Sequence, residues 1–449
     1  MAKRPFTVLC FLMLAAVSPL RAEVVLLAHA TVPGTATDLS GLSSPLESGQ
    51  KGNLLGGFGS ALAFAGGSTF LAVPDRGPNA VPWNPALDDT TSFIPRFHTF
   101  RLALQAKPDG ALPFTLKPAL VSTTLLSSRT PLVYGSGSGL GASAGAPARN
   151  DPAAGRYYFS GRSDNAVAGR GSADPANARL DPEGARVSRD GKSVFISDEY
   201  GPYVYQFDRK SGARLKTFAL PAYFAAATPA PTGEGEASLN DAGRVPNRGM
   251  EGLAITPDGA TLIGIMQSPL TQDGGKKGVG NRIVTIDIAS GKTREYVYPM
   301  ASRKNGVSEI VAINDHQFLV DERDGAEGEE AVFKRLVAID LSGATDVGGQ
   351  ARLPESGWVP VVKINPVFLD LLDPRFGLAG KAFPGKIEGL AFGEDVSVRK
   401  KDGTARRMHT LYIASDNDFL EGKPSHVYVF GFTDADLPGF VPQRIAPFH

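Results

Sequence analysis

The chain has 449 residues, with 46 lysines and arginines against 46 aspartates and glutamates, a formal net charge of zero. That balance gives no electrostatic case for nucleic acid, and no apolar run is long enough to span a bilayer. The composition is rich in turn formers, 52 glycines and 34 prolines, and its single cysteine, Cys10, leaves no partner for a disulfide within the chain.

Taken in order, Lys3 and Arg4, the apolar residues 8–17 and the small Ala22 read as a secretory signal cleaved after Ala22. The mature chain, 23–449, is then cysteine-free and exported, to the periplasm or the medium. Residues 23–30 are strand-like and can complete the last unit of a closed ring. Gly59-Ser60-Ala61-Leu62-Ala63-Phe64 opens a hairpin that returns over 69–73 and ends in Asp75-Arg76-Gly77-Pro78-Asn79. A loop with Trp83 follows, then a strand over 97–104. Residues 135–178, rich in Gly, Ala, Ser and Asn, read as an insertion broken by one strand over 156–160.

Residues 180–220 carry the clearest unit. A strand over 183–187 turns at Asp190-Gly191 and returns over 193–197 to Asp198-Glu199. A strand over 203–208, turned at Arg209-Lys210-Ser211-Gly212 into a fourth, completes it, because Asp-Gly and Ser-Gly pairs suit tight hairpin turns. The unit recurs. Glu251-Gly252-Leu253-Ala254-Ile255 follows a loop that delivers Asn247 and Arg248, and it returns over 261–266 to Gln267. Glu309-Ile310-Val311-Ala312-Ile313 returns over 317–320 to Asp321-Glu322-Arg323. Glu388-Gly389-Leu390-Ala391-Phe392 returns, after a charged hairpin over 394–407, to Ser415-Asp416-Asn417-Asp418.

A four-stranded meander cannot bury both faces alone, and radial repetition of such units makes a β-propeller. The fold class expected is all-β, a single propeller of four-stranded antiparallel blades filling 23–449. Unit starts at 59, 183, 251, 309 and 388 leave a first spacing about twice the others. A sixth blade is therefore expected inside it, with five or seven as alternatives.

Two motifs carry little. Gly141-Ala142-Ser143-Ala144-Gly145 matches the nucleophile-elbow pattern, but it lies in low-complexity sequence with no helix after it. The six histidines show no zinc-ligand spacing. The acids are the stronger signal. Glu183, Glu251, Glu309 and Glu388 head equivalent strands. Asp75, Asp198, Glu199, Asp321, Glu322, Asp416 and Asp418 end the neighbouring ones. If the ring closes they converge, and like charges that converge must protonate, pair with cations or bind a metal. A hard cation with oxygen ligands, calcium above all, fits such a set. The alternative is a structural network in which Arg76, Arg248, Arg323 and Lys386 pair the acids.

At these residues the chain resembles the phytase-like propeller family, described as "esterase-like activity of phytase". The resemblance runs through Asp75-Arg76-Gly77-Pro78-Asn79, Leu180-Asp181-Pro182-Glu183-Gly184, Ser197-Asp198-Glu199-Tyr200-Gly201-Pro202, Asn247-Arg248-Gly249-Met250-Glu251-Gly252-Leu253, Asp321-Glu322-Arg323, Glu388-Gly389-Leu390 and Asn417-Asp418-Phe419. It departs at Gly59-Ser60, where other units have Glu-Gly, and at Gln267, where others have an acid. The resemblance implies hydrolysis of phosphate esters or related esters, with calcium.

The expected metal ligands are drawn from Asp75, Glu183, Glu199, Glu251, Glu309, Asp321, Glu322, Glu388, Asp416 and Asn417. Glu183, Glu251 and Asp198 are candidate bases, and Tyr200 a donor to the leaving group. Arg76, Asn79, Arg248 and Arg323 are expected to hold a small anionic or ester substrate. The chain is expected to be monomeric. A different class also stands: a non-catalytic propeller that binds a ligand or protein, its acids serving structure.

Overall fold

Each repeat begins as a hairpin because its turn tolerates a positive φ. Gly191 and Gly259 adopt φ of 72 and 76 degrees in the two Asp-Gly turns. The strands that follow are apolar on both faces and need cover on both sides. The computed structural model describes residues 24–80, 89–107, 109–137, 139–141, 145–167, 169–399 and 403–448. The expected signal segment, Trp83 and residues 142–144 of the Gly-x-Ser-x-Gly motif lie outside them.

Among the described residues the strands form five four-stranded antiparallel sheets and a two-stranded ribbon. From inner to outer strand, the first blade is Ala61–Phe64, Thr69–Val73, Arg96–Ala106 and Phe114–Leu125. The second is Pro182–Val187, Ser193–Asp198, Tyr203–Asp208 and Arg214–Ala219. The third is Met250–Ile255, Thr261–Met266, Gly280–Asp287 and Thr293–Pro299. The fourth is Gly306–Ala312, Gln317–Arg323, Lys334–Asp340 and Val362–Asp370. The fifth is Lys386–Arg399, Ala405–Asp416 and Ser425–Phe432, with Val25–Val32 as its outer strand. The amino-terminal strand thus closes the ring against the carboxy-terminal blade, antiparallel to Ser425–Phe432.

The molecule is an all-β propeller, as expected, but it has five blades, not six. The inner strands of the first and second blades pack directly on each other, as do all other neighbours around the ring. That leaves no position for a sixth inner strand. The long first spacing holds an insertion whose ribbon, among the described residues, is Ser127–Ser128 paired with Tyr157–Tyr158. Its Leu126, Leu132, Phe159, Ala178 and Leu180 enter the apolar core between the first two blades. Burying a side chain such as Phe159 contributes about 1.5–3 kcal/mol, so the insertion works as a wedge.

Five apolar cores, one between each pair of neighbouring blades, hold the ring. Inner strands approach closely where glycine permits it. A Cβ on Gly252 would lie 2.8 Å from Glu309 Cα in the next blade. The chain's last segment crosses one end of the channel, where Val441 N–H donates to the Ile313 carbonyl at 2.8 Å and Gln443 Nε2 to the Val187 carbonyl at 3.2 Å. The acids gather at the other end. No helix among the described residues is long and apolar enough to cross a membrane.

Candidate functional site

The Glu-Gly pairs sit at β-bulges. Register shifts fall between Pro182 and Ala185, Met250 and Gly252, and Ile387 and Gly389, spanning Glu183, Glu251 and Glu388. A bulge leaves a residue unpaired and re-aims its side chain. In the fourth blade the shift falls between Val307 and Glu309, so Ser308 takes the bulged place and Glu309 pairs with Asp321 in the ladder. Glu309 therefore stands where Gly252 and Gly389 stand. The expectation that it heads an equivalent strand was one residue out of register.

Three acids converge. Asp181, Glu183 and Glu199 are all buried, and ligand oxygens from the three lie within 4.8 Å of one another. Asp181 Oδ1 accepts from Arg76 N–H at 2.9 Å, and its Oδ2 pairs with Arg76 Nη1 at 2.8 Å. Glu199 Oε1 accepts from Gly249 N–H at 2.7 Å. The Glu183 carboxylate takes no hydrogen bond or ion pair from any described residue. Burial, then the charges of Glu251, Asp181, Glu199 and Asp75, push its pKa far up. Burial and then Asp181 raise Glu199 to about 7. Such a set either holds protons or takes a cation, and an all-carboxylate donor set suits a hard divalent ion such as calcium.

Asp181 was not foreseen as a ligand. Its signal was present, because Asp181 and Glu183 are two apart and extended chain places such residues on one face. What sequence did not show is that the turn after Ser193–Asp198 brings Glu199 back to them.

Around this trio lie paired acids. Glu251 Oε1 accepts from Gln267 Nε2 at 2.7 Å, which gives the non-acidic end of that unit a purpose. Burial and then Glu199 and Glu388 hold the Glu251 pKa far up. Glu388 pairs with Arg323 Nη2 at 2.6 Å. Lys386 Nζ lies 2.8 Å from Asp416 Oδ2 and 2.5 Å from Asp418 Oδ1. Asp75 Oδ1 caps Gly77 N–H at 2.9 Å; burial and the Asp416 charge raise its pKa strongly.

Other expected ligands point elsewhere. Glu309 lies in the channel, its Oε1 accepting from Leu253 and Ile310 N–H, each at 2.9 Å. Glu322 faces the third blade, where Tyr298 O–H, Asn305 Nδ2 and Ala301 N–H all donate to it. Asn417 is spent on backbone, accepting from Gly57 N–H and donating to the Lys423 carbonyl. Asp321 is fully buried with both oxygens unpartnered, and burial raises its pKa to about 8.

The expected bases and binders separate in the same way. Asp198 Oδ1 accepts Asp181 and Tyr200 N–H, both at 3.0 Å, and so shapes the turn; burial raises its pKa to about 7. Tyr200 O–H donates to the Gly161 carbonyl at 2.8 Å. Arg323 Nε donates to Ser308 Oγ and to the Ile387 carbonyl, besides its pairing with Glu388. Arg76 and Asn79 line a cavity of about 550 Å³ with Tyr200 and Arg244. Arg248 lines a second, of about 560 Å³, with Lys276, Lys386 and Lys423. Pro246 and Asn247 form the ridge shared by both.

The model of the family described as "Phytase-like: Esterase-like activity of phytase" matches residues 53–419. A relative from Arthroderma benhamiae, described as an uncharacterized secreted protein, is 29% identical over 361 residues. The match covers 70% of this chain and 65% of the relative, so the chain spans about two thirds of that protein's length. Among solved structures, the Pseudomonas aeruginosa periplasmic gluconolactonase is 14% identical with a TM-score of 0.29, covering 82% of this chain and 83% of that one. A Trichoderma reesei protein of carbohydrate-active enzyme family AA12 is 11% identical with a TM-score of 0.31, covering 92% and 98%. Scores this low carry no argument about fold or activity.

Proposed function

Because the chain belongs to the phytase-like family described as esterase-like activity of phytase, we propose that it is an exported, calcium-dependent hydrolase of phosphate esters or related esters, working at the acid-lined channel mouth. The observation that carries this reading is the convergence of Asp181, Glu183 and Glu199, with Glu183 buried and without a partner among the described residues. These three residues would hold the cation. A divalent ion bound there supplies Lewis acidity to a phosphoryl or carbonyl oxygen and lowers the pKa of a bound water.

The chain's own groups account for the rest. Arg76 is anchored by Asp181 and faces a cavity, so it can orient an anionic group beside the trio. Arg248 offers a second positive charge across the Asn247 ridge. Glu251 has one oxygen committed to Gln267. Its Oε2 would hold a proton for a leaving oxygen. Asp198 and Tyr200 act one step back, fixing the turn that carries Glu199. Export follows from the amino-terminal segment, and the secreted relative supports it.

The non-catalytic reading has one observation in its favour. Arg323 and Lys386 already pair Glu388, Asp416 and Asp418. The two readings separate on Glu183→Gln. For the hydrolase, calcium should raise the wild-type melting temperature, and Glu183→Gln should need more calcium for the same rise. A panel of phosphomonoester, carboxylic ester and lactone substrates should show activity that a chelator removes. A wild-type melting temperature indifferent to calcium and chelator, with no turnover on the panel, would favour the binding module.

A further inference from the structure

Beside the trio lies a second acidic set, and a lysine ammonium of the chain sits among its carboxylates. Lys386 enters from the inner strand of the fifth blade, two residues before Glu388. Its ammonium contacts Asp416 Oδ2 and Asp418 Oδ1. Asp75 and Glu388, both buried, are the other carboxylates whose charge acts on it. The set is continuous with the trio, since Asp75 feels Asp181 and Glu183 feels Asp75. Lys386 Nζ donates to Asp416 Oδ2 at 2.8 Å, and an ammonium carries three donors. Lys386 is also part of the wall of the cavity of about 560 Å³, and its side chain is 34% exposed while that of Asp416 is fully covered. The lysine side chain therefore borders open space.

We infer that Lys386 is a built-in second cation of this centre: its ammonium takes the place that a second metal ion would fill among Asp75, Glu388, Asp416 and Asp418, and it meets an anionic oxygen of a substrate in the cavity it lines. The inference rests on the hydrolase reading for the substrate contact, but not for the exchange of lysine for metal. A lysine is a compact point charge on a flexible stem, so it can neutralise carboxylates from two strands without fixed geometry. Unlike a dissociable ion it is always present. The centre then depends on calcium at one position only.

The exchange can be counted. Equilibrium dialysis against calcium, with melting temperatures in parallel, would compare wild type, Lys386→Met, Lys386→Arg and Glu183→Gln. Lys386→Met removes the ammonium from Asp75, Asp416 and Asp418 and leaves Glu388 to Arg323, so it should bind one more calcium per chain than wild type. It should melt below wild type in chelator and recover in millimolar calcium. Lys386→Arg keeps the charge and should keep the wild-type count. Glu183→Gln should weaken only the ion held by the trio. A Lys386→Met chain with the wild-type count, or one that stays unfolded in millimolar calcium, overturns the inference. A wild type that binds no calcium while Lys386→Met gains one ion would sink the hydrolase reading and leave the role of Lys386 standing.

Discussion

Arg186 crosses the central channel to Glu309, its Nη2 lying 3.1 Å from Oε2. The two come from the inner strands of the second and fourth blades. The same guanidinium donates to the carbonyls of Leu62 at 2.9 Å and Ile310 at 2.7 Å, so it ties three blades together at the axis. Glu309 is completely buried, and burial raises its pKa to about 7 against the opposing pull of Arg186. The channel is thus plugged by an ion pair below the mouth, and Glu309 serves the ring.

This pair should be costly to break on one side. Arg186→Met strands a buried carboxylate and takes the donor from the Leu62, Ala185 and Ile310 carbonyls, and removal of one partner of a buried pair costs on the order of 3–5 kcal/mol. Glu309→Gln should cost less, because Arg186 keeps its bonds to the Leu62 and Ile310 carbonyls. The double variant should be less destabilised than the sum of the singles. Denaturant unfolding of all four proteins checks this. Additive losses would show that the pair does not act as a unit.

Asp321 should make stability depend on pH. Its folded pKa is about 8, pushed up first by burial, against roughly 3.9 for an unfolded aspartate. A raised carboxyl pKa means that its contribution is fully present below the unfolded value and is lost as pH rises through the folded one. The loss should run from about pH 4 to about pH 8, at up to roughly 1.4 kcal/mol per pH unit. Asp321→Asn cannot titrate, so its advantage over wild type should grow across that window and level off above it. Unfolding in chelator at pH 5, 7 and 9 measures the gap; a gap that stays constant would mean Asp321 does not titrate in the fold.

Asp181 and Glu322 should behave in opposite ways, although only Glu322 was expected as a ligand. Asp181→Asn removes a charge from the trio and loosens Arg76, so it should weaken calcium binding about tenfold or more. Glu322→Gln disturbs the bonds from Tyr298, Asn305 and Ala301. It should lower the melting temperature equally with and without calcium. Calcium titrations followed by melting temperature separate the two, and a calcium-dependent loss in Glu322→Gln would put the ion in the wrong place.

Much of this protein was legible in the sequence because its information is local. Asp-Gly turns and short apolar strands define each hairpin, and their recurrence defines the propeller. The strands over 203–208 and 69–73 fall where the residues place them. The same is true of the amino-terminal strand that closes the last blade. The conjunction of Arg76, Asp181, Glu183 and Glu199 at one mouth was foreshadowed by motifs that end or head equivalent strands.

Tertiary structure alone decided three things. Blade number depends on which inner strands touch, and the insertion at 126–180 packs as a wedge because its strands are too short to reach the axis. The direction of each acid depends on the bulge beside it: Glu183, Glu251 and Glu388 sit in the shift, whereas Ser308 takes that place and turns Glu309 down the channel. The division of acids between a metal-like set and ion pairs depends on which side chain arrives from another blade. Gln267 reaches Glu251 within one blade, but Arg323 reaches Glu388 from the neighbouring blade, and Arg186 reaches Glu309 from the second blade to the fourth. A strand's sequence fixes which residues alternate along it, while the partner each charge meets across the axis is set by the geometry of five packed sheets.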